Sequence, residues 1–309
     1  MGRRPRHAFV VESCLSGLRS RALPMSLDDR VELVERLLHA GLCDVEVGGC
    51  RPGATARELL AHLPRRPDIR LPVVVTDPAE LAETLAADID GLTVTVPSTE
   101  SAARHEFGCS TEDSLRRLEP VALLAERRGV RLRGILSGAV ACPHEGPVEP
   151  RACAELCSEL RNLGCFEVSL ADTTGAGDPA SVRRLWDACA GRIGPDRLAA
   201  RFWDTRGLAL ANLGTLLPLG LQTIDAALGS VRGGIGPIAT EDVVALLDSL
   251  DIETWIDREL LAETAWWLGA HTGRGPAGAR RWDHRRSAMT RRPSRQFTRH
   301  VSVDYPRGT

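Results

Sequence analysis

Residues 198–213 read LAARFWDTRGLALANL. The first five are apolar but for one arginine, and they suit a buried strand. Asp204-Thr205-Arg206-Gly207 then turns the chain into Ala209–Asn212, which suits a helix. Alternate side chains of a strand share a face. Arg201 and Trp203 therefore point into one space, at the strand end where a barrel enzyme keeps its chemistry.

The same grammar repeats outward from this stretch. Short aliphatic runs at Ala8–Ser13, Cys43–Val47, Leu71–Thr76, Gly91–Val96, Val130–Ser137, Phe166–Leu170, Leu198–Trp203 and Thr223–Leu228 read as strands. Amphipathic stretches separate them. One opens at Ser26, a serine cap followed by Asp28 and Asp29, with Val31, Leu33, Val34, Leu37 and Leu38 on one side. Others run over about 111–128, 149–162, 179–190, 207–217 and 240–250. Eight strands, each followed by a helix, give the count of a (β/α)8 TIM barrel. Continuous apolar strands suit a parallel sheet covered on both faces. The alternative is a doubly wound open sheet, but no Gly-x-Gly-x-x-Gly follows the first strand.

Composition narrows the chemistry. The chain has 309 residues, 43 % of them hydrophobic and only 4 % aromatic, so the core is aliphatic. All 39 basic residues are arginine, which removes every Schiff-base role. A net charge of −2 gives no global drive toward nucleic acid or membrane. Nine cysteines, scattered through predicted elements of a chain this long, suit reduced thiols in the cytoplasm. The pair Cys153 and Cys157 has no matching Cys/His pair nearby, so no zinc site is read there. No signal peptide and no run approaching the ~20 apolar residues of a membrane span are expected. Residues 1–270 are assigned to the barrel. Residues 271–309 form an Arg-rich tail of charge about +8 on a body of about −10, expected to be disordered. Docking to an acidic partner is an alternative for it. Nucleic-acid binding is the weakest reading, because no aromatic-rich platform accompanies the arginines.

Four segments carry a resemblance. SGAVACPHEG (137–146) resembles the S-C-x-x-G-C-P-Y-E-G segment of 3-hydroxy-3-methylglutaryl-CoA lyase, and GCFEVSLADTTG (164–175) resembles that family's G-C-x-E-I-S-L-G-D-T-I-G. Asp204-Thr-x-Gly-x-Ala-Leu-Ala-Asn212 and Ala239-Thr-Glu-Asp242 also match. The likeness covers about residues 8–268 in order. The family, one of the DRE-TIM metallolyases, cleaves a carbon–carbon bond at the C-terminal mouth of a barrel. The resemblance implies a divalent cation held by an aspartate ending the first strand, an H-x-H pair on the seventh and an asparagine after the eighth. An arginine beside the aspartate steadies the enolate, and a cysteine in a glycine-rich loop moves protons.

This chain departs from that pattern at each position. The first strand ends in Leu15-Ser16-Gly17-Leu18. The H-x-H pair falls on Arg201-Phe202-Trp203, the asparagine on Pro237, and the loop 229–236 holds no cysteine. A hard dication wants several oxygen or imidazole ligands, and Arg201 is a fixed positive charge. The expectation is therefore a mouth with no metal and no cofactor, in which Arg201 stands for the ion. Glu46, ending the second strand, and Asp172, on the sixth, are the expected carboxylate partners and the acid/base or orienting groups. Trp203, Ser137, Ser16 and Arg232 are expected to contact substrate. Glu12 and Cys14 flank the altered first strand, and which of its faces looks inward stays open. The expected partner is a small carboxylate or acyl thioester handled through an enolate. A homo- or heterodimer is the expected assembly, and the competing reading is a catalytically inactive barrel that scaffolds or regulates an active relative.

Overall fold

The computed structural model describes residues 5–15, 25–48, 56–75, 89–230 and 236–272. All eight expected strands form: β1 Phe9–Glu12, β2 Asp44–Val45, β3 Val73–Val75, β4 Gly91–Pro97, β5 Arg131–Ser137, β6 Val168–Asp172, β7 Leu198–Phe202 and β8 Thr223–Ala226. They pair in parallel in the order β2-β1-β8-β7-β6-β5-β4-β3. The two ends of this series meet. Val45 N donates to Arg70 O (3.0 Å), Arg70 N to Cys43 O (2.8 Å) and Val47 N to Pro72 O (3.0 Å), so the segment entering β3 pairs with β2. No edge is left there, and the sheet is a barrel.

Helices α1 Leu27–His39, α2 Ala56–His62, α3 Glu100–Phe107, α4 Thr111–Arg128, α5 Pro150–Asn162, α6 Pro179–Ile193, α7 Ala209–Leu216, α8 Thr240–Ser249 and α9 Arg258–His271 are described. The capping logic read from Ser26 holds. Its hydroxyl accepts from Asp29 N, and the Asp29 carboxylate accepts from Ser26 N. α2, α3 and α9 were not anticipated, nor was the small hairpin pairing Ala141–Cys142 with Gly146–Pro147. The expected tail lies, from residue 273 on, outside the described residues.

The register divides each strand into two faces. Leu92, Val94, Val96, Leu132, Leu136, Val168, Leu170, Leu198, Ala200, Phe202 and Ile224 face the helices and are buried. At about 1.5–3 kcal/mol for each fully buried large side chain, this shell carries the fold. The other face lines the bore and is different from the uniformly apolar strands expected. It carries Thr93, Arg133, Ser169, Arg201, Thr223, Asp225 and Asp44, all but Arg201 among the buried residues. The aliphatic core is thus a sleeve, and the charges run down its axis.

Candidate functional site

Register decides which strand residues meet in the bore. Arg201 pairs with Ala171, and Asp225 with Val11, which in turn pairs with Asp44. Paired positions of a parallel sheet share a face. Arg201, Asp225 and Asp44 therefore point inward, and alternation brings Glu46 in above Asp44.

The deepest part is a closed set of ion pairs. Arg133 on β5 donates through Nη1 and Nη2 to the two oxygens of Asp225 (3.0 and 2.7 Å) and through Nε to Glu167 (2.8 Å). Ser169 Oγ donates to Asp225 Oδ2 (2.9 Å), and Thr223 Oγ1 to Glu167 Oε1 (2.7 Å). Charge-assisted bonds of this kind make burial of ions tolerable, because each carboxylate oxygen of Asp225 and Glu167 removed from water finds a donor. Burial works to raise the Asp225 carboxyl, but Arg133 and Arg201 outweigh it and hold the group below its usual range. Asp44 is poorly compensated by comparison. Burial pushes it up to about 7 against the pull of Arg133 and Arg70.

Arg201 lies one step nearer the mouth. It leaves β7 and crosses the bore to β2, where Nη1 donates to Glu46 Oε2 (3.1 Å); the same Nη1 donates to Asp225 Oδ2 (3.3 Å). Its side chain keeps 11 % of its surface, whereas Glu46 and Asp225 keep none. Burial works to lower the guanidinium, but Glu46 and Asp225 more than offset it, so Arg201 stays charged at any working pH. Among the described residues, its Nε and Nη2 donate to nothing.

The structure brings together only some of the residues singled out in the sequence. Arg201 and Glu46 meet as expected. Asp172 does not join them. Its in-register partner is Phe202, on the helix-facing side. Its carboxylate accepts from Gly175 N (3.0 Å), Gly177 N (2.7 Å) and Thr174 Oγ1 (2.8 Å), so it clasps the loop leaving β6. The second partner of Arg201 is Asp225, which sequence reading missed. The signal was present: Asp225 stands between Ile224 and Ala226, and Arg133 between Leu132 and Gly134, each a charge inside an apolar strand.

Ser137 ends β5 in the inward register and is half-buried. Trp203, also half-buried, follows β7, and its backbone N–H donates to Asp172 O (3.1 Å). No stacking of Trp203 on Arg201 occurs; the cation–π contacts among the described residues are Arg36 over Trp267 and Arg131 over Phe166. Ser16 and Arg232 lie outside the described residues, as do the segments 16–24, 49–55, 76–88 and 231–235 that follow β1, β2, β3 and β8.

The end of β1 resolves the open question of its faces. Glu12 pairs with Ala226 on the helix side, where it accepts from Cys14 N (2.8 Å), Leu228 N (2.9 Å) and Thr240 Oγ1 (2.5 Å). Cys14 already lies in a helical turn, so the strand alternation assumed through Ser16 stops at residue 13. Burial and the neighbouring Glu12 push the Cys14 thiol well above its ordinary range, as suits an inert packed thiol. Glu241 caps Gly229 N with both oxygens (3.2 Å each), and burial pushes its carboxyl up to about 7.

The residues described do not suit a divalent cation. Among them no group of three or more His, Cys, Asp or Glu side chains is placed to hold one. The nearest carboxylates, Glu46 and Asp225, already face a guanidinium that repels a dication. A depression lined by Phe9, Arg131, Phe166, Arg197 and Gln222 lies at the opposite, N-terminal ends of the strands. No helix among the described residues is long and apolar enough to cross a membrane.

The family model described as HMGL-like matches residues 15–266. The 3-hydroxy-3-isohexenylglutaryl-CoA/hydroxy-methylglutaryl-CoA lyase of Pseudomonas aeruginosa is 33 % identical over 259 residues, covering 80 % of this chain and 86 % of that protein. The cytoplasmic 3-hydroxy-3-methylglutaryl-CoA lyase of Rattus norvegicus is 30 % identical, covering 84 % and 79 %. The crystal structure of hydroxymethylglutaryl-CoA lyase from Pseudomonas aeruginosa superposes with a TM-score of 0.88 at 31 % identity, covering 91 % of this chain and 99 % of that one.

Proposed function

The chain belongs to the HMGL-like family, and within it we propose a repurposed enzyme of the carbon–carbon lyase class that works without a divalent ion. Its substrate is a small carboxylate or an acyl thioester, and its reaction passes through an enolate. Arg201 is the electrostatic stabiliser. The observation that carries this reading is a permanently charged guanidinium across the bore, tied down through Nη1 alone and still holding donors on Nε and Nη2. A preorganised donor in a site shielded from water stabilises developing oxyanion charge far better than water does.

Glu46 orients Arg201 and is the carboxylate best placed to move a proton. Asp172, tied by loop amides, shapes the mouth and takes no acid/base role. Ser137 and Trp203 line the rim. Ser16 and Arg232 keep the substrate-contact roles assigned to them from sequence. The cytoplasm is the proposed compartment, and self-association or pairing with a relative is the proposed assembly.

Thermal unfolding of EDTA-dialysed protein with 3-hydroxy-3-methylglutaryl-CoA, the substrate class in the relatives' names, tests the reading. The expected result is stabilisation that EDTA leaves intact and Arg201→Gln abolishes. Turnover that appears only when Mg2+ or Mn2+ is returned to the dialysed protein overturns it. One observation favours a second reading, a non-catalytic scaffold or regulator: Glu46 and Asp225 already neutralise Arg201. That reading expects no ligand-dependent shift at all.

A further inference from the structure

Arg201 is engaged unevenly. Nη1 serves both Glu46 Oε2 at 3.1 Å and Asp225 Oδ2 at 3.3 Å, which leaves the Nε–H and Nη2–H donors along one edge of the guanidinium. That edge has a fixed direction. Glu46 and Asp225 are fully buried, and Asp225 is itself locked by both Nη atoms of Arg133 and by Ser169. Two anchored carboxylates on one nitrogen set the plane of the group.

The Nε–Nη2 edge offers two parallel N–H bonds whose spacing matches the two oxygens of a carboxylate. A thioester carbonyl or a single enolate oxygen brings one acceptor atom and leaves one donor unmatched. Net charge does not favour an anion here, because Arg201 and Arg133 together face three carboxylates, Glu46, Asp225 and Glu167. Directional matching is what remains.

We propose that the Nε–Nη2 edge of Arg201 seats a free carboxylate of the substrate by a two-point fork, and that Asp225 is the positioning residue that sets the plane of that edge. The proposal rests on the reading of Arg201 as the cation of the site and narrows its ligand from two classes to one, so that the charge Arg201 steadies develops on the two oxygens of that carboxylate and not on a single enolate oxygen. A thioester group, where the substrate has one, lies elsewhere in the mouth.

The test is an NMR titration of the whole chain with three small probes at matched ionic strength: propionate, its neutral isostere propionamide, and S-methyl thiopropionate. Arg201→Lys is the main variant, since it keeps the charge facing Glu46 and Asp225 and so keeps the fold while losing the fork. Arg201→Gln and Asp225→Asn accompany it. The wild-type protein is expected to bind propionate at least about tenfold more tightly than either neutral probe. Arg201→Lys and Arg201→Gln are expected to erase that preference. Asp225→Asn is expected to reduce it without weakening the neutral probes, a change in selectivity that a merely structural role does not produce.

An undiminished preference in Arg201→Lys overturns the fork and leaves Arg201 standing as a simple cation, and equal binding of propionate and thioester overturns the fork and leaves Arg201 a hydrogen-bond donor to either. A preference unchanged in Asp225→Asn overturns the positioning role. If no probe binds the wild-type chain, or binding ignores Arg201→Gln, the fork and the reading beneath it fall together.

Discussion

Replacing Arg133 by methionine is the sharpest perturbation of the bore. Arg133 keeps only 6 % of its side-chain surface and faces three carboxylates, Asp225 at 2.7 Å, Glu167 at 2.8 Å and, more loosely, Glu46 at 3.9 Å. Methionine fills similar volume, so the cavity contribution is small and the electrostatic one dominates. Asp225 keeps Arg201 and Ser169, and Glu167 keeps Thr223, but both lose their strongest partner. Removing one member of a buried pair costs about 3–5 kcal/mol, a large share of the roughly 5–15 kcal/mol that holds a domain folded. Urea unfolding at pH 7 reads this directly, with Arg116→Ala as the comparison. Arg116 pairs with Glu112 at 2.8 Å, but 58 % of its side chain is exposed, and its loss is expected to leave the midpoint unchanged. The pH dependence gives a second check. Asp225 is held below its usual range, so its contribution is fully present above the unfolded carboxyl pKa of about 3.9 and is lost as pH falls through the lower folded value. Arg133→Met raises that folded value, so the variant loses less on acidification and the gap between the proteins narrows from pH 7 to pH 3. A difference under about 1 kcal/mol at pH 7, or a gap that widens in acid, refutes the account of the bore as a charge-compensated stack.

Two other perturbations probe groups near the mouth. Glu241 is raised from 4.5 to about 7, so the folded chain holds a proton that the unfolded chain loses, and wild-type stability falls as pH rises through that window. Glu241→Gln is expected to match the wild type below pH 4 and to exceed it by roughly 2–3 kcal/mol at pH 8; parallel urea midpoints across the range contradict this. Asp172→Ala strips the acceptor from Gly175 N, Gly177 N and Thr174 Oγ1, and hydrogen exchange is expected to rise at the Gly175 and Gly177 amides and not in β7. Faster exchange at Arg201 instead would tie Asp172 to the bore after all.

Much of this was legible in the chain itself. Eight aliphatic runs with helical stretches between them predicted the barrel, and a β-strand period of two turned Arg201 inward. Glu46 was a sound partner for it, because a carboxylate ending the second strand has the reach to meet a long side chain crossing the bore. Asp172 was misplaced for a reason of phase. A one-residue offset moves a strand side chain to the other face, and nothing local to β6 fixes whether Asp172 or Ala171 looks inward. The same limit hid Glu12, where a helical turn at Cys14 ends the alternation. Asp225 and Arg133 were visible as charges inside apolar strands, but 92 residues separate them, and periodicity carries no information over that distance.

Sequence alone determined the alternation of strand and helix, the aliphatic sleeve that follows from it, and the presence of a lysine-free chain with an arginine at the seventh strand end. Tertiary structure decided which carboxylates that arginine meets and which of its edges is left to bind. The physical reason is closure of the ring. Joining β2 to the segment before β3 fixes the stagger of every strand, and only that stagger places Glu46, Arg201, Asp225 and Arg133 within hydrogen-bonding reach of one another.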